Sequence, residues 1–404
     1  MNKSASCRGA ASGGDSTETR RNTPVQKAQD STAENLDELD LRVVHALQVH
    51  PRVPWTLVGD VLAVNPVTAA RRWRRLRDAG LAWVTAYPRL SDYRIVVTGI
   101  IEVDTEPGRA QEVAQALAAE HAVANVKLTA GGRDLMATVQ ATDLNELARL
   151  TTQLFQRTPG VRATRTHVST GVPTEGSRWR LRELDDAQCA RLEAGRLSDV
   201  PQDQRATTAP AWDPLDAQLL ELLSTDGRMS ISDLADATGG GATTVRRRLQ
   251  SLLASRVSLR CDLARPLSGW PLSAVYFASV PAQYLEETGR VLSGVREVRS
   301  CAITTGPHNL VIDVWLRTLA DVHTFEVHLA RRLPRLRIDD RSVVLSTVKH
   351  MGRLLDRDGH CVGVVPLRHP QEQETRQAPE AAVSPYSGFG GLDGLDGFAT
   401  AQER

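Results

Sequence analysis

Between Asn65 and Gly80 the chain reads Asn-Pro-Val-Thr-Ala-Ala-Arg-Arg-Trp-Arg-Arg-Leu-Arg-Asp-Ala-Gly. Guanidinium groups are planar five-donor forks that fit phosphate or the edge of guanine in a bidentate way. Their spacing decides whether they can do so together. On a helical wheel Ala69, Trp73 and Leu76 share one face. Arg71, Arg74 and Arg75 lie opposite, flanked by Arg72 and Arg77. A rod with one apolar and one cationic face can pack on its own protein and lie in a DNA groove. Val67, Thr68, Arg71 and Arg72, near the start of the helix, are the candidates for base contact. Asn65 caps the helix, and Arg74, Arg75 and Arg77 are candidate phosphate clamps. A second stretch repeats the pattern, with Val245, Leu249 and Leu252 as the apolar stripe. Thr243, Thr244, Arg246, Arg247 and Arg248 lie outside or flanking it. Taken alone, either arginine row would read as a solvated helix face.

The context argues otherwise, because the chain says the same thing twice. Leu36–Leu81 aligns without a gap on Trp212–Val257, 176 residues later. Ten positions are identical: Asp37, Leu39, Asp40, Leu47, Arg52, Asp60, Thr68, Arg71, Arg72 and Leu76 recur in the second copy. Each copy predicts three helices. In the first, Asp37 caps a helix with Asp40 at its third position, Pro54 opens a second, and Asn65-Pro66 start a third that Gly80 stops. In the second, Asp213-Pro214 and Ser230 with Asp233 give matching starts. Gly239-Gly-Gly241 replaces the cap before the basic helix, so this copy should be the more mobile reader.

After each helical module the pattern turns mixed. Strands are expected near 95–103, 122–129, 135–141 and 161–169, with helices at 107–119 and 144–156, and the same order recurs at an offset of 175. This β-α-β-β-α-β order is a ferredoxin-like split unit. The fold class is therefore α+β: two trihelical helix-turn-helix modules and two ferredoxin-like domains in tandem. The expected boundaries are a disordered arm at 1–35, DNA-binding modules at 36–90 and 212–265, and mixed domains at 95–170 and 270–350. A linker carrying a short helix covers 171–211, and a glycine-rich disordered tail 363–404.

Composition narrows the function. A net charge of +1 means that nucleic-acid affinity must come from local patches. The five cysteines have no metal or redox spacing, which points away from zinc and disulfides and towards a reducing cytoplasm. The polar N-terminus carries no signal-peptide core, and no apolar run is long enough to span a bilayer. Nucleophile triads, P-loops and dinucleotide fingerprints are absent, so no cofactor and no catalytic role are expected.

Leu36-Asp-x-x-Asp40 with Leu47 and Arg52, Asn65-Pro66 through Arg72-Trp-Arg-Arg-Leu76 with Gly80, and Gly131-x-x-Asp134 in the mixed module together resemble the Lrp/AsnC (feast/famine) family of prokaryotic transcription regulators. The two ordered pairs of modules resemble a fused dimer of that family. The resemblance implies double-stranded DNA as partner, read in the major groove at an imperfect palindrome, and self-association through the mixed domains. It also implies a small-metabolite effector near the strand-turn-strand glycine. Gly131 and Asp134 in copy one, and Gly306, His308 and Asn309 in copy two, are the corresponding residues. Asp134 would hold a ligand ammonium group or merely brace its turn. Two other readings share the architecture: a low-specificity chromatin-architectural protein, and a sirohaem-decarboxylase-like enzyme with His121, His167, His308 and His350 as its histidines.

Overall fold

The computed structural model describes residues 36–89, 96–198 and 212–367. The expected arm at 1–35, the polar spacer at 199–211 and the tail beyond 367 lie outside these residues.

The first half opens with α1 (Glu38–Val49), α2 (Trp55–Leu62) and α3 (Pro66–Asp78). A capping box joins Asp37 and Asp40 at the start of α1. Gly80 ends α3 with φ of +69°, a conformation that favours glycine. A strand that the sequence reading lacked follows at once, β1 (Ala82–Pro88). Next come β2 (Val97–Thr105), α4 (Ala110–Ala118), β3 (Val123–Ala130), β4 (Leu135–Ala141), α5 (Leu144–Arg149) and β5 (Val161–Thr174). A π turn at Leu150–Phe155 carries α5 onward. The linker helix, α6 (Asp186–Ser198), is no free spacer. Leu192 is fully buried in the same core as Val43, Leu47, Val58 and Leu62. His45 receives the backbone N–H groups of Glu183 and Leu184 on Nδ1, both at 2.9 Å. Burial, aided by Arg180, brings His45 down to about 4, so it stays a neutral acceptor.

The second half repeats the plan: α7 (Pro214–Thr225), α8 (Ile231–Thr238), α9 (Ala242–Ser255), β6 (Val257–Leu263), β7 (Leu272–Ser279), α10 (Leu285–Ser293), β8 (Val298–Thr304), β9 (Leu310–Leu316), α11 (Ala320–Arg332) and β10 (Arg337–His350). A hairpin ends the described chain, with β11 (Arg353–Leu355) and β12 (Cys361–Val364), where the glycine-rich tail was expected to begin.

The two halves close on each other within one chain. β5 leaves its own sheet at Val168 and pairs β8 from Ser169 onward. β10 pairs β7 through Val344 and β3 from Val343 onward. The eight strands β10-β3-β4-β2-β5-β8-β9-β7 thus form a closed circuit. Helices cover the outer faces over two apolar cores. Ile100, Met136, Val275, Phe277, Val311 and Val344 fill the space between the sheets. β1 pairs antiparallel with β6 over their full lengths, joining the helical modules to the sheets.

The helical modules are also locked reciprocally. Arg52 donates to the carbonyls of Gly227 and Met229, at 2.7 and 2.9 Å. Arg228 donates to those of Pro51 and Val53, at 2.6 and 2.9 Å. Burial, and then the charge of Arg52, lower Arg228 to about 10. Its guanidinium also lies 4.3 Å from the centre of the Trp55 ring. Arg353, buried on β11, ties the modules to the sheets. It donates to Thr85 Oγ1 and to the carbonyls of Val84, Ser224 and Thr225.

Two predictions follow from these buried cations. Arg52→Ala and Arg228→Ala each leave two carbonyls without their donor and should each lower stability by about 2 kcal/mol, read by urea denaturation. Lys349 is fully buried and donates only to the Glu120 carbonyl, at 2.7 Å, and burial lowers it to about 7. Below pH 7 the ammonium is charged in both folded and unfolded chains, so the burial cost is complete. From pH 7 to 10.5 only the unfolded chain holds the proton, so stability rises across that window. Lys349→Met should abolish this rise, and denaturation curves at pH 6.5 and 10 should differ less than in the parent chain.

Candidate nucleic-acid interface

The apolar stripe of α3 is buried as its spacing required: Ala69, Trp73 and Leu76 pack on α1 and α2. Asn65 Oδ1 accepts the Val67 N–H at 2.8 Å, and Pro66 occupies the first turn. Val67, with 74% of its surface exposed, stands beside Thr68 at the presented end of the helix. Arg71 and Arg74 are exposed and have no partner among the described residues.

The other arginines of α3 are engaged. Arg72 pairs with Asp37 and reaches Asp40 at 3.2 Å, and Arg75 pairs with Asp40 at 2.5 Å. Asp40 is almost fully buried, so these cations neutralise a carboxylate that water cannot reach. Burial would raise Asp37, but the Asp40 N–H and Arg72 outweigh it and hold Asp37 low. Arg77 pairs with Asp78 at 2.9 Å and with Asp226 of the other half at 3.5 Å. Base contact by Arg72, and phosphate contact by Arg75 and Arg77, would therefore require breaking ion pairs inside the protein.

On α9 the same division appears. Val245, Leu249 and Leu252 are buried. Thr243, Thr244, Arg246 and Arg247 are exposed, and neither arginine has a partner among the described residues. Arg248 pairs with Asp213 and lies 3.7 Å from Asp216. Burial and Asp213 raise Asp216 despite Arg248 and Arg256. Gly241 offers no side-chain cap, and Gly239 closes α8 at φ of +66°. The repeated identities thus sort into two kinds. Asp37, Asp40 and Arg72, with Asp213, Asp216 and Arg248, brace helix against helix. Thr68 and Arg71, with Thr244 and Arg247, stay presented.

The turn residues of the mixed domains serve the closure of the sheets. Asp134 Oδ2 accepts the Thr105 N–H at 2.7 Å and its hydroxyl at 2.9 Å. Asn309 holds the corresponding strand end, exchanging hydrogen bonds with the Val280 N–H and carbonyl at 3.0 and 2.7 Å. Gly131 and Gly306 take φ of +131° and +111°, and each lies against the last strand of the opposite half. A Cβ on Gly131 would meet the Arg341 carbonyl and Ser342 Oγ at 3.0 Å, and one on Gly306 would meet His167 Nδ1 at 3.2 Å. His308 faces Asp339 at 3.0 Å.

A charged cluster unforeseen in the sequence joins the inner faces. Glu102 receives His167 and Arg133, each at 2.6 Å. Arg133 continues to Ser342 at 2.8 Å and to Asp340, and lies over the Phe277 ring. Burial would raise Glu102, but the His167 hydrogen bond and the Arg133 charge bring it to about 2. Polar residues at alternate positions of β2 and β5 were the available signal. The other two histidines lie apart from this cluster. His121 Nδ1 is 2.8 Å from the Pro366 carbonyl, and His350 lies beside Asp262 and Arg260.

Comparison with known proteins agrees with this division into modules. The AsnC-type helix-turn-helix domain matches residues 36–77 and 213–253, and the Lrp/AsnC ligand binding domain matches 98–179 and 273–354. An uncharacterised HTH-type transcriptional regulator of Pyrococcus furiosus is 29% identical over 34% of this chain and 94% of its own length. The HTH-type transcriptional regulator LrpA of Pyrococcus abyssi is 27% identical over 31% of this chain and 90% of its own. Among solved structures, the sirohaem decarboxylase NirDL superposes with a TM-score of 0.50 at 13% identity. That match covers 78% of this chain and 93% of the other, and it speaks for shared fold alone. Each curated relative spans one helical and one mixed module, and here both occur twice. The chain belongs to the Lrp/AsnC family, with two AsnC-type helix-turn-helix domains and two ligand-binding domains in tandem on one polypeptide.

Proposed function

We propose that this chain is a non-enzymatic, sequence-specific DNA-binding transcription regulator that works as a self-contained pseudo-dimer in the cytoplasm. One observation carries the reading. On both basic helices the repeated Arg72 or Arg248 is spent on intramodule acids, while the neighbouring Arg71 or Arg247 is left exposed and unpaired. A helix braced from behind and cationic in front is what major-groove entry requires. Thr68 and Arg71, with Thr244 and Arg247, read base edges. Arg74 and Arg246, each present in one copy only, add phosphate contacts. The two faces differ, so the operator is an imperfect palindrome with half-sites about one helical turn apart or a multiple of it. A small effector acts on the paired ligand-binding domains. The family membership and the two reciprocal seals between halves support this reading.

Selection from random duplexes should enrich one motif, and anisotropy on that duplex then tests the residues. Arg71→Ala with Arg74→Ala should weaken binding about tenfold or more and flatten the log–log salt slope by about two units. The denaturation midpoint should not move. A protein carrying Ala at 71, 74, 246 and 247 that still binds like the parent would refute the assignment. Arg72→Ala should behave in the opposite sense. Removing a partner of buried Asp40 lowers stability by about 1–2 kcal/mol, and DNA affinity at low temperature falls less than in the Arg71, Arg74 double variant.

A further inference from the structure

A cavity of about 70 Å³ lies where β7, β9 and β10 meet the β1–β6 ribbon, under the turn that joins β11 to β12. Its apolar walls include the indoles of Trp83 and Trp315, and Lys127, Arg265 and Arg357 also line it. The hydrogen-bonding capacity there is one-sided. Asp313 is taken up by Lys127 at 2.5 Å and Ser273 at 3.1 Å. Asp356 is turned inward, accepting the N–H groups of Asp358 and His360 at 3.0 and 2.8 Å. Both acids of the lining are therefore occupied. Two donors are not. Trp83 is only 4% exposed, yet its Nε1–H has no acceptor. Arg357 is exposed and has no partner among the described residues. A buried donor without an acceptor is costly, and one beside a cation is complemented by an anion. The indole walls suit an apolar body. An apolar cavity of about 150 Å³ takes benzene, so this one suits something smaller.

We infer that this cavity binds a small aliphatic monocarboxylate of a few carbons, its carboxylate received by Trp83 Nε1 and Arg357 and its hydrocarbon end held against Trp315. The site exists once per chain. In the other half Leu259 stands at the position of Trp83, Gln140 at that of Trp315 and Ala302 at that of Lys127. Its walls come from three parts that must keep register for DNA binding: the ribbon, the sheets and the C-terminal hairpin. Arg353, beside the cavity on β11, reaches the end of α7. Occupancy therefore stiffens the joint between the ligand-binding domains and the helical modules. That consequence rests on the regulator reading above, whereas the binding itself does not.

The test uses the full chain and sodium butyrate, followed by calorimetry and ligand-observed saturation-transfer NMR, with butan-1-ol as the neutral analogue. The expected result is saturable binding of one butyrate per chain that butan-1-ol does not displace. Arg357→Gln and Trp83→Phe should each weaken it about tenfold, the loss of one charge-assisted hydrogen bond. Arg357 sits on an exposed turn, so its variant keeps the test open even if Trp83→Phe folds poorly. Absence of saturable binding, equal affinity in Arg357→Gln and the parent, or displacement by butan-1-ol at equal concentration would each overturn the site. A chain that binds butyrate but no duplex would overturn the regulator reading and leave the site standing.

Discussion

Everything in this molecule depends on each half being unable to finish itself. β5 and β10 each begin in one sheet and end in the other, and Arg52 and Arg228 satisfy carbonyls only across the divide. The two exchanges are related by the same internal repeat that the sequence displays. Fourteen residues is long for a strand, and the length of β5 and β10 is explained by their double duty. Closing the circuit removes the free sheet edges that would otherwise invite pairing with other chains. The glycine turns belong to the same mechanism, since Gly131 and Gly306 let each hairpin approach the other half's last strand.

Holding both halves on one polypeptide frees them to differ. In a dimer of identical subunits every residue at the dyad appears twice and meets its own kind. Here Glu102, Arg133 and His167 stand on one side, while Phe277, His308 and Ser342 hold the equivalent positions on the other. A cluster of two carboxylates and an arginine is thereby packed against an aromatic ring, which no self-complementary interface would give. The same licence explains Asp262, which is held well below the usual carboxylate range because Arg260 and Arg299 outweigh its burial. Its equivalent in the first half is Ala86, and that of Arg299 is Ala124. One half carries the charge, and the other supplies apolar packing.

How much of this was legible follows from range. Caps, helix stops and stripes are local, so Asp37, Asn65, Gly80 and the Ala69–Trp73–Leu76 stripe sat where their spacing put them. The ferredoxin-like order is a pattern of alternation, and it too was readable. The roles of Arg72 and Arg75 were not, because wheel position separates outside from inside but does not reveal an acid on the neighbouring helix. The strand β1 was available in the run Ala82-Trp-Val-Thr-Ala-Tyr87, rich in β-branched and aromatic residues directly after a helix stop. It was obscured because its partner β6 lies in the other copy. The linker helix hid its role for the same reason: its apolar residues fit a core that begins more than a hundred residues earlier.

The asymmetry reaches its functional limit at the chain's C-terminal hairpin. The first half leaves β5 through a short 3-10 turn and runs into α6, which packs on α1 and α2. The second half instead folds back as β11 and β12. There the Cys361 N–H meets the Gly80 carbonyl at 2.8 Å, and the Leu367 N–H meets Ser224 Oγ at 3.1 Å. Gly80 ends the first basic helix, and Ser224 lies in the last turn of α7 in the second module. One hairpin, anchored in the sheets by its pairing with β10, therefore touches both helical modules. A shift of β10 of even an ångström must be taken up either at these two contacts or at Arg353. Packed interfaces of this kind change state in steps and do not deform smoothly. Any signal that moves the paired sheets therefore reaches both basic helices through this one strap.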